Sequence, residues 1–165
     1  MSVDAVRTAK IFFVGFVGLL GLLTAIDNII DYPTNFEVVR HVMSMDATPP
    51  GNRLMGRAIT SETLHSLVYW IIIATELLYG SLCIFGALRL FGAQRSLARS
   101  FNSAKGAAVL GLAIGFTLYF FGFLVIGGEW FQMWRAGQWN MQEPAFRFIG
   151  CIGLVLVFLC LPDTD

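Results

Sequence analysis

Four stretches of this chain are apolar on every helical face, and polar connections separate them. A helix that crosses a bilayer needs about 20 predominantly apolar residues. The first stretch, 9–30, carries strongly polar residues only near its ends, at Lys10, Asp27 and Asn28. The second, 63–90, contains Glu76, and the third, 106–128, carries no charge. The fourth, 145–161, is shorter; Pro144 suits its first turn, where a missing N–H costs nothing, and Pro162 closes it. None of the four alternates with a period of two, as strands of a membrane β-barrel do. So little polar chain cannot hide four such runs from water. The pattern therefore predicts an all-α membrane protein, an antiparallel four-helix transmembrane bundle forming one domain.

The connections differ in character. Residues 31–62 and 129–144 form an expected outer cap, and 91–104 a short basic loop. Within the cap, Asn35 is placed to start a short interfacial helix, Phe36 to Met43, whose apolar face meets the membrane surface or neighbouring helices. The turn Thr48-Pro49-Pro50-Gly51-Asn52 ends that segment. Small residues recur at Gly15, Gly18 and Gly21, at Ala107, Gly111 and Gly115, and at Gly150 and Gly153. Lipid tails are as apolar as leucine, so close approach through such ridges is what joins membrane helices.

Composition agrees: the chain of 165 residues is 56% apolar and 13% charged, with zero net charge. That balance gives nothing for nucleic acid to hold. The first run lacks a small-residue cleavage site after it and reads as a retained span. Arg7, Lys10, Arg89, Arg95, Arg99 and Lys105 fall on one side; Arg40, Arg53, Arg57, Arg135 and Arg147 fall on the other. The short basic loop 91–104 decides the orientation and places both termini in the cytoplasm. Trp70, Trp130, Trp134 and Trp139 then lie at the outer interface, as an aromatic belt.

Candidate chemistry is sparse. Cys83, Cys151 and Cys160 sit in apolar runs without a C-x-x-C pair and read as packing residues. Glu76 is the most informative residue, because an ionisable group at mid-span is costly and marks a site by default. It reads either as a proton or cation site or as a polar clasp between helices. Thr117 lies at similar depth on the third span and is its expected partner. A second group, Asp27, Asn28, Asp31, His41, Asp46, Arg57, Glu129 and Arg147, gathers at the outer face with Glu62 and His65. It reads as solvated charge or as a network closing that face. No metal-ligand spacing, nucleotide motif or nucleophile–base pair is present, and two histidines outside the span centres do not make a haem site.

These residues also carry a resemblance. Asn28, Asp31-Tyr32, Asn35, His41-Val42 and Ser44-Met45-Asp46, then Arg57-Ala58-Ile59, Ile72-Ile73 and Glu76, are followed by the block Gly122–Phe131. Met133-Trp134, Trp139-Asn140 and Ala145-Phe146-Arg147 continue the series. In that order they resemble a bacterial family of small integral membrane proteins filed as a domain of unknown function. The resemblance implies four spans in a bacterial inner membrane and supplies no catalytic residue or cofactor. Three functions follow as expectations. The first is a structural or accessory protein, not an enzyme, that sits in the lipid bilayer beside other membrane subunits. The second is a Glu76-dependent proton- or cation-coupled transporter. The third is an interfacial enzyme acting on a lipid or quinone through His41, Asp46 and Glu129.

Overall fold

The computed structural model describes residues 3–164, with side chains from residue 5 onward. Helix α1 (Val3–Ile30) runs almost without a break into α2 (Tyr32–Ser44), with only Asp31 between them. A long helix α3 (Glu62–Gly92) follows, then the short α4 (Ala98–Ala104) and α5 (Gly106–Thr117). The third span continues as a π-helical segment, Leu118–Trp130, and α6 (Gln142–Cys160) is the fourth. No strand occurs among the described residues.

Four helical stretches, 5–30, 62–92, 98–130 and 137–160, are long and apolar enough to cross a bilayer. Their outward faces support the same conclusion. Phe12, Phe16, Leu19, Leu23, Leu154 and Val157 are exposed, while Lys10, His65 and Glu76 are buried. A water-soluble protein would do the reverse.

Helix α1 packs mainly on α3, α3 on α5, and α6 on α5 and the π segment, closing the bundle more loosely against α1. Glycine sets the distances. A Cβ on Gly80 would stand 2.9 Å from the backbone nitrogen of Leu22 and 3.0 Å from the carbonyl oxygen of Gly18. One on Gly86 would stand 2.6 Å from the backbone nitrogen of Ala108. The predicted ridges at Gly18, Gly21, Gly111, Gly115 and Gly153 face neighbours inside the bundle, whereas Gly150 faces open space. Gly80 and Gly86, the α3 side of these crossings, form no simple repeat, which is why spacing alone did not identify them.

Several boundaries move for local reasons. The cap helix is longer than 36–43: it begins at Tyr32, with Pro33 in its first turn, so Asn35 lies inside it. Asn35 Nδ2 reaches back to the carbonyl of Asp31 at 3.3 Å instead of starting the helix. Val42 and Met43 pack with Phe131 and Met133, so this helix turns its apolar face to protein. It stops before the Pro49-Pro50 turn, where Met45 takes a left-handed conformation (φ 53°) and its N–H bonds to the Val42 carbonyl. Ser61 caps α3, its hydroxyl accepting from the Leu64 N–H at 3.5 Å. Pro144 is the third residue of α6, still within the turn whose N–H groups have no helical acceptor.

The third span departs most from expectation. From Leu118 onward it is hydrogen-bonded i→i+5, ending with the Phe131 N–H on the Ile126 carbonyl at 3.0 Å. Such segments are rare, are mostly single turns, and recur at functional sites. Here the segment runs beside Glu76 and forms one wall of a chamber.

Candidate functional site

Glu76 lies about 20 Å along α3 from its first residue, at 1.5 Å per residue, and is 1% exposed. Asn28, in the last turn of α1, donates from Nδ2 to Glu76 Oε2 at 2.8 Å. The Tyr119 hydroxyl, on the π segment, donates to Oε1 at 3.3 Å. That commits its proton, so the Tyr79 hydroxyl, 3.4 Å away, donates to Tyr119. The Tyr69 hydroxyl donates to the Asn28 carbonyl at 3.0 Å and holds that turn in place. The first and third spans thus direct donors toward one carboxyl group on α3.

Glycines make the arrangement possible. A Cβ on Gly21 would lie 2.5 Å from the Tyr79 ring, and one on Gly115 3.1 Å from it. The ring is held between α1 and α5 because both lack a side chain there. Asn28 is seven residues beyond Gly21, two turns along the same face, which brings it to Glu76. Its position near a helix end suggested membership of the outer group, so this partnership was missed.

Thr117 does not join the site. Its hydroxyl donates to the Ala113 carbonyl on its own helix at 2.8 Å, and the residue is exposed. Tyr119, two residues on, reaches the carboxyl instead. We expect Asn28→Val to cost about 1–2 kcal/mol of stability, because Glu76 loses a buried donor. Thr117→Val should stay within about 0.5 kcal/mol. Thermal unfolding in detergent checks both, and equal losses would contradict the assignment.

Two neighbouring cavities occupy the half of the bundle nearer the 31–62 and 129–144 connections. One, about 240 Å³, extends from Asn35, Met141 and Pro144 at the cap down to Thr24, Asn28, Tyr119 and Glu76. The other, about 650 Å³, is enclosed by α2, α3, the π segment and the loop after it, and its lining is apolar throughout. Val38, Val39, Ile72 and Phe123 line both. Half-exposed Ile71, Phe121 and Trp130 mark the larger chamber's open side. Below Glu76 the bundle is solid: Tyr79, Cys83, Ala108, Leu112 and Ile152 are fully buried.

The predicted outer group separates into smaller units. His41 Nδ1 meets Asp46 Oδ1 at 2.7 Å, and its ring stacks on Trp139 with centroids 4.3 Å apart. Arg40 pairs with Glu37 alongside. That hydrogen bond holds the Glu37 carboxyl below its ordinary range and raises the Arg40 guanidinium. Arg57 Nη1 reaches the backbone carbonyls of Glu129 and Trp130 at 3.4 and 3.3 Å and lies over the Trp130 ring. Arg147 pairs only with exposed Glu143, at 2.5 Å. Asp27 and Asp31 are exposed. Among the described residues, no single network joins all of these groups. Trp70, Trp130 and Trp134 are about half exposed, whereas Trp139 is tucked against His41. His65 is buried, with Nε2 on the Ile59 carbonyl at 2.7 Å. Among the described residues, no three His, Cys, Asp or Glu side chains are grouped to hold a metal ion.

A third polar centre, unforeseen in the sequence, closes the opposite end. Lys10 Nζ and Lys105 Nζ meet the same Asp163 oxygen at 2.7 and 2.6 Å, and both donate to the Leu161 carbonyl at 2.8 Å. Asn102 brackets the Asp163 backbone with bonds of 2.9 and 3.1 Å. Arg7 Nη1 holds the carbonyls of Gln94 and Ser96 at 3.0 and 2.7 Å. Burial pushes the Asp163 carboxyl up, but the two ammonium groups outweigh it and hold the carboxyl below its ordinary range.

A family model described as "Predicted small integral membrane protein (DUF2165)" matches residues 6–162. No curated protein and no solved structure matches the chain.

Proposed function

The chain belongs to this family of small integral membrane proteins, and from that premise we propose a non-catalytic accessory role: its outer half receives a membrane-soluble molecule and presents it to neighbouring membrane subunits. The pair of cavities carries this reading. An apolar chamber of about 650 Å³, open between α3 and the π segment, adjoins a smaller cavity with a carboxyl group at its floor. Ligand sites are mostly apolar with a few convergent polar groups, and this pair has that composition.

The packed layer below Glu76 favours holding over transport, because among the described residues no polar path connects the site with the Lys10–Asp163 end. The donors around Glu76 position charge but form no nucleophile–base pair, which favours binding over catalysis. His41 and Asp46 are together, whereas Glu129 is exposed and meets Arg57 through its backbone carbonyl, so the interfacial enzyme reading has no assembled acid–base set to support it. The basic loop 91–104 orients both termini toward the cytoplasm, in a bacterial inner membrane.

A photoactivatable single-chain lipid in proteoliposomes tests the proposal. Labelling should concentrate on Val39, Ile72 and Phe123, and Ile72→Trp, which fills the shared wall, should reduce it severalfold. If the label instead falls evenly on outward Leu154 and Val157, the chamber is not a binding site.

A further inference from the structure

The small cavity has a charge character that its size alone does not convey. Both hydrogen-bond partners of Glu76 are neutral side chains, and each presents a donor. Tyr79 extends the same polarity by one more hydroxyl. Donors converging on a carboxyl group favour its negative form against the cost of burial, and a cation entering the cavity would favour it further. No lysine, arginine or histidine lines the cavity. Ionisable groups at membrane depth face a water-filled cavity or pair with an opposite charge. Here a cavity leads from the outer cap to the carboxyl, and among the described residues no opposite charge lines it.

The walls indicate what kind of cation fits. Calcium takes six to eight oxygen ligands, and magnesium demands a near-ideal octahedron. This cavity presents one carboxyl group, with the neutral side chains of Thr24, Asn28 and Asn35, among aromatic and aliphatic surfaces, and a single carboxylate is too little charge and too few oxygens for either shell. Tyr119 stands edge-on to Phe148 at 4.7 Å and tilted to Phe123 at 5.6 Å, so three rings share the space beside Glu76. Aromatic faces attract organic cations, and a carboxylate adds the counter-charge. Beyond Ile72 and Phe123 lies the apolar chamber, where hydrocarbon loses nothing on leaving lipid.

We infer that the Glu76 cavity binds the ammonium head of an amphiphile whose hydrocarbon part extends past Ile72 and Phe123 into the chamber. This rests on the reading of the outer half as a receptacle. Ethanolamine lipids of the bilayer and free lipophilic amines share the chemistry.

The test uses the full chain in maltoside micelles, with radiolabelled dodecyltrimethylammonium as probe and dodecanol as its uncharged counterpart. The wild-type protein should bind the ammonium saturably at one site per chain, and excess dodecanol should not displace it. Glu76→Gln, which keeps the side-chain shape, should weaken binding at least tenfold. The preference of the wild type for the charged probe needs no variant, so a poorly folding Glu76→Gln protein does not block the measurement. Displacement by phosphatidylethanolamine identifies a bilayer lipid as the source, and its failure to displace identifies a free amine. Equal saturable binding of both probes, unaltered by Glu76→Gln, would overturn the ammonium assignment and leave the receptacle standing. Absence of saturable binding by either probe would remove both.

Discussion

Gly86→Ala should lower the thermal midpoint of the detergent-solubilised protein by about 2–12 °C, and Gly86→Leu should prevent the bundle from closing. The added Cβ would stand 2.6 Å from the Ala108 nitrogen and 2.7 Å from its Cα. Both are backbone atoms, so no rotamer change relieves the clash, and α3 must move away from α5. Overpacking of this kind costs about 1–3 kcal/mol, and each kcal/mol shifts the midpoint by about 2–4 °C in a chain of this length. Displacing α3 also moves Tyr79 and Glu76, which lie on its buried face. Gly150→Ala is the control. Nothing stands within 4 Å of its Cβ position, and alanine favours a helix over glycine by about 0.5–1 kcal/mol. Its midpoint should hold or rise slightly. If the two substitutions behaved alike, the α3–α5 crossing would not be as close as described.

Asp163→Ala should be the most damaging change in the segment that follows α6. It removes the shared counter-ion of Lys10 and Lys105 and leaves two ammonium groups in a buried site. Breaking a buried pair on one side costs about 3–5 kcal/mol. Lys10→Met in the same background should restore part of the loss, because one unpaired charge goes with it. An Asp163→Ala protein as stable as wild type would show that the tail is not clamped.

The pH dependence of this clamp has a definite sign. Asp163 is held below the 3.8 of an ordinary aspartate, so the folded state binds its proton less readily than the unfolded chain does. The clamp's contribution is therefore complete above that ordinary value and is lost as pH falls through the lower folded value. Thermal midpoints should be insensitive to Asp163 between pH 5 and pH 8, a window set well above 3.8. Below it, wild type should converge on Asp163→Ala.

The four spans were legible because a hydrophobic run of membrane length has one physical solution: every backbone group must bond within the segment. Glu76 was legible for the same reason, since a carboxyl group in such a run must find a polar partner or line a site. Its partners were not. Thr117 was expected on the basis of depth, but depth does not fix rotation about a helix axis. The change to i→i+5 bonding near Leu118 accompanies the placement of Tyr119 on the inward face. Asn28 sits at a helix end, a position typical of solvated residues, and only the glycine-set approach of α1 to α3 brings it to the carboxyl. Lys10 and Lys105 resembled ordinary cytoplasmic charges, because nothing local marks an aspartate some sixty residues beyond Lys105 as their counter-ion.

The sequence by itself thus determined the solvent: hydrocarbon surrounds four segments, and those segments are helices. Tertiary structure decided which faces meet, which donors reach Glu76, and where space is left between helices. The reason lies in the range of the forces involved. Transfer into lipid is a sum over local residues and can be read along the chain, whereas hydrogen bonds and close packing act over a few ångströms between residues that only the fold makes neighbours.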